Sequence, residues 1–284
     1  MLDEDGPQVM KWGNHRIINY SEELRSIATD MIQAGKADGI SICPRKGFSG
    51  DSLDFVRNIE GVRIVILQGL PDISLDTLQD LPELVEISMS ETKSTLDLGR
   101  FPSLVKLSSH WHKKLFKNPG QSKIRALRLY NYGEKGGSLS DFSYFPDLTE
   151  LEMIQGKFRS LSGISKYKSL DSISLHYCSK LEKIEDLSMV DLRSFFANVC
   201  KKILDHEFIG GCKNLEKLKL NECGSMQSLN FINSLVKLRS FRFLKTDVID
   251  GDLSPLLRLD DVFFTEKRHF SYKNRDMKQA NRIY

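Results

Sequence analysis

The chain has 284 residues, a formal net charge of +3, 40% hydrophobic and 28% charged residues. That balance is ordinary for a folded soluble chain and excludes a disordered or collagen-like one. The small net charge argues against a nucleic-acid partner, no apolar run approaches the roughly 18 residues of a membrane span, and five cysteines without framework spacing exclude a disulfide scaffold.

The chain opens on Met1-Leu2-Asp3-Glu4-Asp5, which lacks the basic and apolar regions of a signal peptide. With the unpaired cysteine count, this sets the expectation of a reduced, cytoplasmic protein. Val9–Trp12 and Arg16–Asn19 flank Gly13-Asn14 and are predicted to pair as a hairpin. Residues 21–34 follow as an amphipathic helix, with Ser21 as N-cap, Leu24, Ile27, Ala28, Met31 and Ile32 on one face, and Gly35 as the stop. Residues 1–36 are therefore expected to form an N-terminal cap.

From residue 37 to 266 a Leu-x-x-Leu-x-Leu pattern recurs about every 22 residues. Clear copies begin at Leu84, Leu148, Leu170 and Leu215. The central strand pairs are Ile40/Ile42, Ile64/Ile66, Ile87/Met89, Leu107/Ser109, Leu127/Leu129, Leu151/Met153, Ile173/Leu175, Phe195/Ala197, Leu218/Leu220, Phe241/Phe243 and Val262/Phe264, eleven coils in all. A second apolar column lies three residues before each pair. A third lies six before and includes Leu81, Phe101, Phe145, Tyr167, Met189 and Cys212. Alternate side chains of a strand face opposite ways, so the paired residues point inward. One coil alone cannot bury them, and neighbours must stack to share a core. Pro82, Pro102 and Pro146 occupy one equivalent turn position. A glycine-bearing loop, Tyr132 to Ser138, interrupts the rhythm and is expected to be a mobile surface insertion. Phe263, Phe264, Phe270 and Tyr272 are expected to fold over the last coil, and residues 267–284 to form a C-terminal cap with a basic tail.

This spacing resembles the leucine-rich repeat family, in particular the short bacterial repeats of the internalin-like type. The resemblance implies a strand-rich α/β solenoid with a curved parallel sheet on the concave side and short helices, 3-10 turns or extended turns on the convex side. The family places Asn or Cys five residues after the first strand Leu, as a hydrogen-bonded ladder. Here that column reads Arg45, Gly69, Thr92, His112, Tyr132, Gly156, Cys178, Cys200, Cys223, Thr246 and Lys267, so only the later coils comply.

Catalytic chemistry finds no support. Cys178, Cys200 and Cys223 share one column, but strands about 4.8 Å apart do not suit thiolates that bind one zinc at about 2.3 Å. They read as a structural ladder, and no metal or cofactor is expected. Cys43 is expected on the open strand surface as the one reactive thiol. His110 and His176 lie three coils, roughly 15 Å, apart, too far for an acid–base pair. No nucleophile elbow, phosphate loop or His-Glu-x-x-His helix is present.

The outward strand positions are more telling, because folding leaves them free to vary. They begin with Ser41, Val65 and Ser88 in one column and with Cys43 and Leu67 in the next. In the middle coils they and their neighbours supply His110, Trp111, Arg128, Tyr130, Tyr132, His176, Tyr177 and Phe196, with Arg242 further on. Aromatic and Arg side chains carry most hot-spot energy in protein interfaces. The expected partner is another protein, with no small-molecule substrate, no membrane and no nucleic acid. By analogy with repeat-fold inhibitors, the specific expectation is an immunity-type protein that occludes a cognate toxin. The alternatives are a secreted effector or adhesin-type module binding a host protein, and a scaffold subunit of an enzyme.

Overall fold

A computed structural model describes residues 9–79, 81–133, 138–140 and 142–277. The acidic first residues, most of the glycine-bearing loop and the end of the basic tail lie outside the described residues. The chain divides into two compact units. The first runs to Arg128 and takes in Phe145–Asp147; the second is Leu129–Tyr144 with the chain from Leu148 onward.

In the first unit the hairpin forms as β1 (Val9–Trp12) and β2 (His15–Tyr20), with Trp12 opposite His15. A 3-10 turn, Glu22–Leu24, leads into α1 (Arg25–Gln33). Ser21 contributes its carbonyl to Leu24 N but no side-chain cap, and Ile27 is 40% exposed, so the helix buries Ala28 and Ile32 on a narrower stripe than expected. Then come β3 (Gly39–Ile42), β4 (Ile64–Leu67), α2 (Asp76–Gln79), β5 (Glu86–Met89), β6 (Leu96–Asp97), β7 (Lys106–His110), β8 (Phe116–Lys117) and β9 (Ala126–Tyr130), whose residues from Leu129 belong to the second unit. The second unit continues with β10 (Glu150–Ile154), β11 (Ser172–His176), β12 (Ser194–Asn198), β13 (Lys217–Asn221), β14 (Ser240–Phe243) and β15 (Asp261–Phe264). Within each unit the strands lie side by side in chain order, parallel from β2 onward. The return limbs are mostly short 3-10 turns, and β6 pairs with β8 as a second small ladder.

In the second unit the inward columns align as the pattern requires. Leu151, Ile173, Phe195, Leu218, Phe241 and Val262 stand opposite one another in turn, and all are buried. Each buried Leu or Phe stabilises by roughly 1.5–3 kcal/mol, which a lone coil would forfeit. One coil is a residue short on its return limb: Val190 fills the place expected of Met189, which is 65% exposed. At the end, Phe264 stacks on Phe243 with ring centroids 5.2 Å apart and Phe270 closes over both. Phe263 does not join them; it faces outward.

The first unit corrects the register of one strand. Ile40 stands opposite Val65, and Val65 opposite Ile87, so Val65 and Leu67 are the inward pair rather than Ile64 and Ile66. Four consecutive apolar residues give alternation nothing to act on. Ile64 and Ile66 are still buried, on the other face, with Ile17 beneath Met10, Trp12 and Val85. The hairpin therefore folds back across the outward face of β3 and β4. The Trp12 indole Nε1 donates to Glu86 Oε1 at 2.7 Å, four strands along. Gly39 permits the close approach of β3 to β4, since a Cβ there would stand 2.1 Å from the carbonyl oxygen of Ile64.

Candidate interaction face

β9 to β14 are each followed, within two residues, by a residue with left-handed backbone. Asn131, Gln155, Tyr177, Val199, Glu222 and Lys245 have φ between 49° and 60°. Their N–H groups donate to the next coil: Gln155 to His176 O, Tyr177 to Asn198 O and Val199 to Asn221 O, each at 2.8 Å. The left-handed step turns the following residue inward, and that residue forms the ladder. Cys178 Sγ donates to Met153 O and His176 O at 3.8 and 3.6 Å. Cys200 repeats this with Leu175 O and Asn198 O, and Cys223 with Ala197 O and Asn221 O. Thr246 Oγ1 donates to Leu220 O at 2.8 Å and accepts from Cys223 N at 3.1 Å. Each rung thus ties its own coil to the one before. The fold is a leucine-rich repeat.

No known protein family and no curated protein matches the chain. Solved structures do. Over 81% of its length the chain is similar to the functional domain of InlJ from Listeria monocytogenes, described as including a cysteine ladder, with 12% identity and a TM-score of 0.49. It spans 54% of that chain, about half. Over 79% of its length it is similar to an internalin, InlF, from Listeria monocytogenes, with 15% identity, a TM-score of 0.41 and 88% of that chain covered.

The repeat's thiols are buried. All five cysteines are free and buried, Cys43 included, which corrects the expectation of an open thiol there. Its carbonyl accepts from Lys46 N and Phe48 N. A hydrogen bond with Cys200, then burial, push the Cys178 thiol up. Burial pushes Cys212 up to about 11, and burial with the neighbouring Cys200 pushes Cys223 up to about 12. Among the described residues no group of three or more His, Cys, Asp or Glu is placed to hold a metal, and no helix is long and apolar enough to cross a membrane.

The expected partner-binding residues divide by unit. In the first, His110 and Arg128 lie half-buried on outward strand positions, and Trp111 packs on Phe116 with ring centroids 6.0 Å apart. Outward residues of β3 and β4 are not available there, because the hairpin covers them. In the second unit Tyr130 is half-buried at the end of β9. Tyr132 is a correction: it is 0% exposed, its ring edge-on to Phe142 at 5.1 Å and tilted against Phe158 at 6.1 Å. It occupies the ladder column, where the left-handed Asn131 turns it inward. Tyr177 is itself on the left-handed step, which throws its ring outward to 53% exposure.

Four outward side chains of the second unit hold one another. His176 Nε2 lies 3.5 Å from Glu152 Oε1, and its ring meets Phe196 edge-on at 5.0 Å. The Lys219 ammonium sits over the Phe196 ring, 5.7 Å from its centroid. Arg242 is engaged by Asp261 through two bonds of 2.8 and 2.9 Å. The Arg242 guanidinium beside Asp261 holds that carboxyl below its ordinary value. Sequence reading named His176, Phe196 and Arg242 as partner-binding and left out Asp261, along with Glu152 and Lys219, although the last two fall in the same outward column. The signal was present: Glu152, Phe196 and Lys219 share one outward column. Beside this face, a cleft lined by Lys168, Asp171, Asp191, Arg193, Asn214 and Lys237 holds one ion pair, Arg193 Nε to Asp171 at 2.5 Å, and a chain of hydrogen bonds from Lys237 to Asn214 and from Asn214 to Asp191.

Proposed function

We propose that this chain is a non-catalytic protein-binding module that docks a partner on the outward strand face of its later coils. The observation that carries the reading is the Glu152, His176, Phe196 and Lys219 group. Glu152, His176 and Phe196 are half-buried and Lys219 is exposed, yet the four are already engaged in mutual contacts. A preordered aromatic and charged surface loses less freedom on docking, and such residues dominate interface energetics. Nothing in the fold calls for this constellation, since the core columns lie on the opposite side of the strands.

The more specific form of the proposal is an inhibitor of immunity type, which blocks a toxin by covering it. A rigid strand face suits steric occlusion, and five unpaired thiols suit a reducing, cytoplasmic compartment. The test is affinity capture from the native host with the wild-type chain and with Phe196→Ala/Tyr177→Ala. A protein recovered in equal amount by the wild type and lost by the variant supports the docking face. Recovery of no stoichiometric protein by the wild type overturns it. A recovered protein without toxicity when expressed alone overturns the inhibitor form.

A further inference from the structure

The chain-wide charge of +3 conceals a sharp reversal inside the first unit. Residues 70–97 contain seven Asp and Glu against the single Lys93, whereas residues 98–128 contain eight Lys and Arg and no Asp or Glu. Two cations near the border reach back to the acidic side: Lys117 lies 3.3 Å from Asp97 and Lys106 4.0 Å from Glu86. Lys113, Lys114 and Lys123 are exposed, and among the described residues no carboxylate lies within ion-pair distance of them. Lys113 and Lys114 directly follow Trp111, which is half-buried against Phe116.

We infer that the β7–β9 coils are a docking surface for an acidic patch on a protein partner. The inference adds a second surface, on the first unit, to the protein-binding reading above and rests on that reading. Like charges crowded on two coils repel one another, and an oppositely charged partner relieves that repulsion while steering encounter. Trp111 supplies an aromatic anchor beside the cationic rim. The acid-rich stretch argues for a compact acidic protein surface over a nucleic acid. A duplex carries one charge per roughly 1.7 Å along its whole length. Laid along the coils, it would run from the basic stretch onto the acid-rich one. A compact patch meets the cations alone, and the neighbouring acids reject misplaced registers.

The experiment uses the full chain carrying Trp12→Phe, so that Trp111 is the sole indole. The probes are a peptide of alternating Glu and Gly, a peptide of alternating Lys and Gly, and a short DNA duplex. Each is titrated by Trp111 emission and by calorimetry over a series of NaCl concentrations. The acidic peptide is expected to bind, to shift Trp111 emission, and to weaken as salt rises. Lys113→Glu/Lys114→Glu/Lys123→Glu should lower its affinity at least about tenfold. The second-unit control Lys180→Glu/Lys183→Glu/Lys201→Glu should leave it unchanged. Circular dichroism confirms that both variants fold. Equal loss in both variants, no loss in the first, or tighter binding of the duplex than of the acidic peptide would overturn the inference. Host capture separates the two levels: a partner held equally by the wild type and the Lys113/Lys114/Lys123 variant overturns the charge assignment alone, whereas no partner for either overturns the docking reading with it.

Discussion

Val199 adopts φ of 56°, a left-handed backbone that a β-branched residue resists. Asn131 holds the same place in its own coil without that strain. Val199→Asn should therefore raise stability by about 1 kcal/mol, read from a denaturant midpoint with unchanged slope. His206 is 3% exposed, with Nδ1 facing Leu204 O at 3.2 Å and Nε2 without a hydrogen-bond partner among the described residues. Burial pulls its pKa down from 6.5 to about 4. The unfolded chain takes up this proton below pH 6.5 while the folded chain refuses it until about pH 4. Stability is thus complete above pH 6.5 and falls as pH drops toward 4, by about 3 kcal/mol in total. His206→Gln should remove that slope in urea melts run across the window. With all five thiols buried, a thiol-specific reagent should label none promptly in the native chain and all five in denaturant. Gly156 shows how a ladder place can be filled from elsewhere. A Cβ there would meet the Phe158 ring at 2.3 Å, and that buried ring takes the space.

At the scale of the element, legibility followed alternation. β10 to β14 read correctly because Leu151, Ile173, Phe195, Leu218 and Phe241 sit between polar or variable neighbours, and their pairing follows that pattern. β4 was misassigned by one residue because Ile64–Leu67 is apolar throughout and is buried on both faces. Nothing local marks the second burial; it comes from the hairpin, whose Trp12 crosses to β5. Trp12→Ala should uncover Ile64 and Ile66 and cost about 3–5 kcal/mol. Faster hydrogen exchange confined to β1 and β4 would identify that contact as the cause. The left-handed steps were equally hidden. Of the six residues, only Asn131 is a type that favours the conformation, so Tyr132, although placed in the ladder column, was also counted among the surface rings.

At the scale of the molecule, the repeat was plain from its period, and the candidate face only in part. His176 and Phe196 were foreseeable as outward residues. Their fixing by Glu152 and Lys219 was not, because it depends on direct and diagonal neighbours across four coils. The basic stretch of residues 98–128 was fully written in the sequence, but a net charge summed over the whole chain erased it. The row of left-handed junctions carries one more consequence. Tyr177 and Val199 make the same bond to the coil that follows, and Cys178 and Cys200 stand in the same place after them. Excising residues 178–199 would join Tyr177 to Cys200 and offer its N–H the acceptor that Val199 used, Asn221 O. The shortened chain should still melt in one cooperative step, with an unaltered circular dichroism spectrum per residue. Such a protein can change its length by whole turns, gaining or shedding reach while the seams between turns stay the same.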